Sequence, residues 1–348
     1  MKPEALHLLQ QGAFLPAMPL VLDAQRTFDE QGQRRLLRYY LAAGVDGVAV
    51  AVHTTQFEIR EPEHNLLERV LRVAADEMYR YHDRTILKIA GACGDIDQAV
   101  SEANLARDIG YDAVLLSPGG LADRDTCYLL ERTRRVAEVL PVVGFYLQAA
   151  VGGRYLPYDY WRALCDIPGV VAIKCAAFNR YYTLDVMRAA AETGNRVALY
   201  TGNDDSILYD LLTTHQFMGK DRQMRQARFV GGLLGHWAVW THTAVNLFRE
   251  ARQLADASQV PARLLALGNA ITDANAAFFD TANNFAGCIA GVHEVLRRQG
   301  LMQGIWCLNP QETLSPGQSE EIDRVYRMYP QLNDDAFVQR FLAHDGQA

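Results

Sequence analysis

A pattern of helix, glycine and short apolar strand recurs along the first half of the chain. The segment GVDGVAVAV begins at Gly44, GYDAVLLSP begins at Gly110, and the variant IPGVVAIKC surrounds Gly169. Each becomes a run of valine, alanine, leucine or isoleucine, which is typical of parallel strands covered on both faces. The repetition therefore predicts consecutive βα units.

Eight such apolar runs can be counted, with helical stripes between them. Strands are expected near residues 13–20, 45–52, 85–91, 113–117, 142–147, 170–175, 197–201 and 229–234, and helices near 3–11, 30–43, 62–81, 97–108, 125–139, 158–164, 182–192 and 204–212. Eight units favour a closed (β/α)8 TIM barrel of the α/β class over an open doubly wound sheet. No G-x-G-x-x-G turn follows the first strand, which argues against a dinucleotide-binding domain.

The strand pattern ends near residue 243, and helical stripes punctuated by proline continue to the C-terminus. We therefore predict a barrel over residues 1–242 that carries the active site. Residues 243–348 are predicted to form a C-terminal helical extension that packs on the barrel or on a neighbouring subunit. No linker rich in glycine, serine or charge separates the two parts.

The composition indicates which kinds of molecule the protein is expected to bind. The net charge of −7 offers no basic surface for nucleic acid or for an anionic membrane. The six cysteines form no C-x-x-C pair and no zinc-like spacing, as expected of reduced thiols in a cytoplasmic protein. No apolar run approaches membrane-spanning length. A soluble cytoplasmic protein with a small-molecule partner is expected.

Lys174 is a charged residue at the end of the otherwise apolar strand 170–175. The sequence has only three other lysines, at positions 2, 88 and 220, and uses arginine elsewhere. A desolvated lysine can lose its proton and act as a nucleophilic amine, as in Schiff-base catalysis. Alternatively, its stem covers apolar surface while the ammonium group reaches water. The strand alone leaves both interpretations open.

In a (β/α)8 barrel, catalytic groups lie at the C-terminal ends of the strands, where the βα loops form the open face. That rule selects a short set of candidates: His53, Thr54, Thr55, Ser117, Tyr146, Gln148, Lys174, Gly202, Asn203 and Asp204. A nucleophilic amine, a phenol and a pair of hydroxyl groups would then meet in one pocket.

Four of these motifs occur in a familiar order: Thr-Thr after strand two, GFYLQ on strand five, GVVAIKCA on strand six and TGND after strand seven. In order and spacing the chain resembles the dihydrodipicolinate synthase and N-acetylneuraminate lyase family over about residues 12–245. The resemblance implies a cofactor-independent, Schiff-base-forming lyase of the class I aldolase type. It also implies a homodimer or homotetramer.

The resemblance assigns roles to individual residues. Lys174 would form an imine with a pyruvate-type 2-oxo acid, and Tyr146 would stand beside it as the proton shuttle. Thr54 and Thr55 would hold the substrate carboxylate. Gly202 and Asn203 would contact the substrate at the mouth, or would simply form the turn into the next helix.

The chain also departs from the family pattern. The usual glycine-threonine-threonine-glycine-glutamate loop reads His53-Thr54-Thr55-Gln56-Phe57, and Ser117 stands where the synthase carries a relay tyrosine. The synthase arginine shortly after the strand-five tyrosine is missing at its spacing, although Arg154 follows and is a possible substitute. These differences favour an aldolase, dehydratase or hydratase over the lysine-pathway synthase itself.

Two other functions remain as alternatives. The altered His53 loop and the missing strand-four tyrosine are compatible with a non-catalytic barrel that binds a small organic acid. A metal-dependent aldolase could use several histidines, His53, His64, His236 and His242. No H-x-H motif lies on an early strand, however, and neither a metal nor a cofactor is predicted.

Overall fold

A computed structural model describes residues 1–194, 196–219 and 221–345. Eight of its strands run parallel in one sheet: β1 (Phe14–Pro16), β2 (Gly47–Val50), β3 (Leu87–Ala92), β4 (Ala113–Leu116), β5 (Val142–Leu147), β6 (Val170–Ala176), β7 (Ala198–Thr201) and β10 (Gly231–Leu234). Strands β8 (His215–Met218) and β9 (Met224–Ala227) form a separate antiparallel hairpin. All eight predicted barrel strands are present, whereas the hairpin was not predicted.

The eight-stranded sheet closes on itself. Its order is β1-β10-β7-β6-β5-β4-β3-β2, and a parallel bridge between Ala17 and Ala49 joins the two ends. There the Met18 N–H donates to the Ala49 carbonyl at 2.9 Å. The predicted (β/α)8 TIM barrel is confirmed.

Helices alternate with the strands and then continue to the C-terminus. They are α1 (Pro3–Gln11), α2 (Glu30–Ala43), α3 (Leu67–Tyr79), α4 (Ile96–Ile109), α5 (Thr126–Ala137), α6 (Tyr158–Cys165), α7 (Arg180–Glu192), α8 (Ile207–Leu212), α9 (Thr241–Gln253), α10 (Ala262–Phe278), α11 (Cys288–Arg298), α12 (Gln318–Met328) and α13 (Asp335–Asp345).

Local sequence signals explain the recurring helix, glycine and strand pattern. Helix α2 begins after Asp29, whose carboxylate accepts from the Gly32 N–H, and it ends at Gly44 with φ 98°. Helix α4 begins after Asp95 in the same way and ends at Gly110 with φ 99°. Aspartate caps the free N–H groups of a first turn, and glycine adopts the left-handed conformation that ends a helix.

Alternation along the strands divides the apolar core into two layers. One layer fills the barrel interior and includes Leu15, Ile89, Leu115, Phe145 and Tyr200, and the other lies between the sheet and the helices. Helix α1 covers the N-terminal end of the interior, where the Tyr200 hydroxyl donates to the Leu9 carbonyl at 2.7 Å. The C-terminal end of the barrel is therefore the end available to a ligand.

The C-terminal helices pack on the same barrel. Helix α9 follows β10 and contacts α2 and β1, so it is the eighth barrel helix. The predicted boundary after residue 242 falls in the first turn of α9, and the barrel extends to Gln253. Beyond it, α10 packs against α8, and α13 packs against α2.

Candidate active site

A cavity of about 90 Å3 lies at the C-terminal end of the barrel. Most residues that line this cavity are apolar, but they include a lysine, an aspartate, a histidine and a threonine. Its lining comprises Ala17, Val52, His53, Thr54, Leu115, Phe145, Leu147, Gln148, Val151, Lys174, Ala176, Phe178, Gly202, Asp204, Gly235, Phe279, Phe285 and Cys288.

Lys174 projects into the barrel interior from β6. Its neighbours Ala172 and Ala176 belong to the inner layer, whereas Ile173 and Cys175 belong to the outer layer. The Lys174 Nζ lies 4.5 Å from the centroid of the Phe145 ring. The lysine therefore enters the cavity beside an aromatic ring.

Gly202 makes room for this lysine. A Cβ atom added at Gly202 would lie 2.6 Å from the Lys174 Cε and 3.1 Å from its Cγ. Gly202 lines the cavity, and its hydrogen atom allows the lysine stem to pass against the backbone.

Lys174 and Asp204 influence each other electrostatically. Burial lowers the pKa of Lys174 to about 8, and the negative charge of Asp204 opposes that shift. Burial raises the pKa of Asp204 to about 7, against a hydrogen bond from the His236 N–H and the charge of Lys174. Near neutral pH, both groups can exchange protons.

Contacts from the segment after β10 and from the C-terminal extension hold Asp204 in place. Its Oδ1 accepts from the His236 N–H at 2.9 Å, and its main-chain carbonyl accepts from Asn275 Nδ2 at 2.7 Å. The Asn275 Oδ1 lies 2.6 Å from His236 Nδ1. Because Asn275 is on α10, the extension positions a carboxylate of the barrel cavity.

Thr54 and Thr55 have different environments. Thr54 lines the cavity, and its hydroxyl donates to the Met18 carbonyl at 3.2 Å. Thr55 is fully buried, and its hydroxyl donates to the same carbonyl at 2.7 Å. Thr55 is not among the lining residues, so its side chain fixes the loop.

His53 precedes the two threonines and lines the cavity. Burial and the charge of Lys174 lower the pKa of His53 to about 4, which leaves this imidazole neutral at pH 7.

The prediction that Tyr146 stands beside Lys174 is wrong. Tyr146 pairs in register with Cys175 and faces the outer layer, where its ring lies 4.9 Å from that of Trp161. Its hydroxyl accepts from the Leu156 N–H at 3.4 Å, and burial raises its pKa well above the ordinary value. Phe145 pairs with Lys174 and occupies the inner face instead.

Asn203 does not line the cavity either, so of its two predicted roles the structure favours the turn into the next helix over contact with the substrate. Its Oδ1 accepts from the Phe178 N–H at 3.0 Å, and its Nδ2 donates to Asp210 Oδ2 at 2.9 Å. Asn203 thus fixes the turn after β7.

Arg154, the possible substitute for the synthase arginine, also lies outside the lining. Its guanidinium donates to the carbonyls of Ala122 and Arg124.

Three lining residues come from the extension and were not predicted. Phe279 and Phe285 reach the cavity from the segment between α10 and α11, and Cys288 reaches it from the first residue of α11. They lie more than 100 residues after Lys174 in the chain and belong to no strand-end motif. Only the three-dimensional packing of the extension brings them to the barrel.

Among the described residues, one group of three potential metal ligands lies close together. The ligand atoms of Glu61, Glu63 and His64 are within 4.8 Å of one another, on the loop between β2 and α3. The two glutamates are exposed, and none of the three lines the cavity. In the same described part of the chain, every helix is too short or too polar to cross a bilayer.

Comparison with known proteins gives consistent matches. A family model described as the dihydrodipicolinate synthetase family matches residues 11–216. An N-acetylneuraminate lyase of Citrobacter koseri is 27% identical over 203 residues, which span 57% of this chain and 64% of that protein. The match thus spans less than two thirds of this relative.

Solved structures share the fold at low sequence identity. The dihydrodipicolinate synthase of Oceanobacillus iheyensis superposes with a TM-score of 0.74 at 18% identity, covering 94% of this chain and 99% of that one. YagE of Escherichia coli K12, a prophage protein solved in complex with pyruvate, gives a TM-score of 0.73 at 17% identity, covering 92% and 98%.

Proposed function

This chain belongs to the dihydrodipicolinate synthetase family, and from that premise we propose that it is a class I aldolase-type lyase acting on a pyruvate-type 2-oxo acid through a Lys174 imine. The observation that carries the proposal is the inward-facing Lys174 amine, whose pKa burial lowers to about 8. A homodimer or homotetramer, and the absence of a cofactor, stay predictions.

The first chemical step joins the amine to the substrate ketone. The neutral Lys174 Nζ attacks C2 of the 2-oxo acid, and proton transfer gives a carbinolamine. Loss of the former ketone oxygen as water leaves an iminium ion. The iminium withdraws electrons from C3, so that a C–C bond is cleaved or formed, or a C–O bond is cleaved, at the adjacent carbons.

Asp204 replaces Tyr146 as the proton carrier in this proposal. Asp204 lines the same cavity as Lys174, and its raised pKa of about 7 allows it both to accept and to return a proton near neutral pH. Tyr146 cannot serve without a large rearrangement, since its side chain lies on the opposite face of β5.

The substrate carboxylate is assigned to the side of the cavity formed by His53 and Thr54. A neutral imidazole and a hydroxyl group can both donate hydrogen bonds to a carboxylate. Thr55 is assigned to loop support because its side chain does not line the cavity and its hydroxyl donates to the Met18 carbonyl at 2.7 Å. The Thr54 hydroxyl lines the cavity and would exchange its longer 3.2 Å bond to that carbonyl for the substrate carboxylate. Among the described residues, no arginine lines the cavity. This supports an aldolase, dehydratase or hydratase rather than an enzyme with a second carboxylate-bearing substrate.

Borohydride trapping tests the lysine role directly. Incubation with pyruvate and borohydride is expected to add one reduced pyruvate to the tryptic peptide containing Lys174, and Lys174→Met should abolish the adduct. Lys88→Met is the matched control because Lys88 lies on β3, where it pairs with Asp112 at 3.6 Å. That variant should be modified like the wild type.

The same experiment separates the alternatives. One observation favours the non-catalytic barrel: the ring beside Lys174 belongs to Phe145, which has no hydroxyl group to transfer a proton. An unmodified Lys174 across a panel of 2-oxo acids would support that function and refute ours. Loss of activity on chelation, with borohydride having no effect, would support a metal-dependent aldolase instead.

A further inference from the structure

The wall of the cavity contributed by the C-terminal extension is aromatic, and from it we infer the class of substrate. We propose that the part of the 2-oxo acid beyond the imine carbon is an aryl or alkyl group, not an acidic or polyhydroxylated chain. This inference rests on the proposed function, which places the ketone and carboxylate of the substrate at Lys174, His53 and Thr54. It concerns only the part of the substrate that lies beyond them.

Apart from Gln148, the charged and hydrogen-bonding side chains of the cavity are committed to the imine and the carboxylate of the substrate. Lys174 and Asp204 serve the imine, and His53 and Thr54 face the carboxylate in the proposed orientation. A distal carboxylate would need a second cation, yet Lys174 is the only lysine or arginine among the described lining residues. Buried charges without partners are strongly disfavoured.

The remaining wall offers apolar surface. Phe178, Phe279 and Phe285 line the cavity together with Leu147 and Val151. The rings of Phe178 and Phe285 meet edge to face, with centroids 6.1 Å apart. Hydroxyl groups placed against these rings would lose water without gaining hydrogen bonds, whereas an apolar group would gain from burial.

The aromatic wall is held rigidly. Phe285 has a left-handed φ of 68°, and such a conformation persists only where its surroundings impose it. Buried Asp280 accepts from the Gly287 N–H at 2.9 Å and from Asn283 Nδ2 at 2.7 Å. Gln318 donates to the Gly287 carbonyl at 3.0 Å. A preorganised apolar surface binds an apolar ligand at little entropic cost.

Binding of 2-hydroxy acids tests the distal part alone, since these compounds cannot form an imine. Isothermal titration calorimetry would compare gluconate with 2-hydroxyhexanoate, which shares its carbon skeleton, and 2-hydroxyglutarate with 2-hydroxy-4-phenylbutanoate. Burial of one hydrocarbon group should make the apolar member of each pair about tenfold or more tighter. Equal or tighter binding of gluconate or 2-hydroxyglutarate would overturn the inference.

Substitutions of the phenylalanines that line the cavity test whether they cause the preference for apolar ligands. Phe279→Ala and Phe285→Ala should each weaken 2-hydroxy-4-phenylbutanoate about fivefold or more and leave lactate unchanged, since three carbons need not reach the wall. Phe217→Ala, on the hairpin away from the cavity, is the matched control. Equal weakening of 2-hydroxy-4-phenylbutanoate and lactate binding, or no weakening of either, would show that these phenylalanines do not contact the distal part of the ligand. The wild-type comparison stands if a variant does not fold.

The two proposals fail in different experiments. Absence of a borohydride adduct at Lys174, with the apolar preference intact, would refute the Schiff-base function alone. An adduct with pyruvate, combined with preferred binding of polar tails, would refute the substrate class alone.

Discussion

Two glycines that line the same cavity are expected to respond very differently to an added methyl group. In Gly202→Ala, the new Cβ would lie 2.6 Å from the Lys174 Cε, whereas ordinary contacts begin at 3.4 Å. The lysine stem must therefore move by about 0.8 Å, from 3.4 minus 2.6. In Gly235→Ala, the nearest atom is the Phe279 Cζ at 3.2 Å, which requires a shift of only a few tenths of an ångström.

The Lys174 Cε belongs to a flexible side chain, but the Ala176 Cβ, which would lie 2.9 Å from the added Cβ, is fixed to the backbone of β6. Gly202→Ala should therefore still fold, at a cost of about 1–3 kcal/mol. Its chemistry should suffer far more, because a misplacement near 1 Å can lower a rate by about 10²-fold. We expect the initial rate of pyruvate and borohydride trapping at Lys174 to fall about 100-fold in Gly202→Ala. Gly235→Ala should remain within about threefold of the wild type.

Peptide mass spectrometry of the trapped protein, with urea unfolding of each variant, separates chemistry from stability. Trapping of Gly202→Ala at the wild-type rate would refute the placement of the lysine stem against Gly202. Equal losses in both glycine variants would show that general crowding of the cavity, and not the position of Lys174, controls the rate.

Three further outcomes are expected. Pyruvate trapping at Lys174 should increase with pH and reach half its maximum near pH 8, because burial lowers the pKa of this amine and only its neutral form attacks; a profile still rising steeply above pH 10 would contradict this. Tyr146→Phe should keep kcat within about threefold, whereas Asp204→Asn should lower it about 10²-fold or more, and the reverse order would return the proton shuttle to Tyr146. Gln56→Ala should lower the free energy of unfolding by about 1–3 kcal/mol through loss of the bond to the Leu308 N–H. Gln56→Gly should be about 1 kcal/mol more stable than Gln56→Ala in urea titrations, since φ is 68° there.

The architecture could be predicted because it depends on short-range signals. The capping aspartates, the left-handed glycines at 44 and 110, and the continuous apolar runs each specify one βα unit, and eight units leave a barrel as the favoured arrangement. The hairpin was missed because its strands mix polar with apolar residues and are half exposed. It therefore lacks the apolar run by which the other strands were identified.

The face of a strand was harder to predict than the strand itself. Both faces of β5 are apolar, with Val143, Phe145 and Leu147 inside and Val142 and Tyr146 outside. Alternation of polar and apolar residues, the usual guide to orientation, is therefore absent in a parallel barrel strand. A shift of one residue separates Phe145 from Tyr146, and that shift decides which ring lies beside Lys174.

Asn203 illustrates a second limit. An amide at a strand end can contact a ligand or fix the turn, and the choice depends on partners that are distant in the sequence. Here Asp210 and the Phe178 N–H engage both ends of the amide. The neighbouring Asp204 remains in the cavity because His236 and Asn275 hold it there. The strand-end rule selected both residues, but it could not tell which of the two faces the cavity.

Two of the ten described non-glycine residues with left-handed backbone line the cavity, Phe178 and Phe285, and a third, Gln56, follows the lining loop of His53 and Thr54. Gln56, Phe178 and Phe285 have φ values of 68°, 47° and 68°. Each such residue costs about 1–2 kcal/mol, so local preference alone would select against them. Compensation comes from the C-terminal extension, through the Leu308 N–H for Gln56 and through the Asp280 and Gln318 hydrogen bonds for the Phe285 segment. The extension thus stabilises the strained backbone at the mouth of the barrel, and the shape of the cavity depends on it.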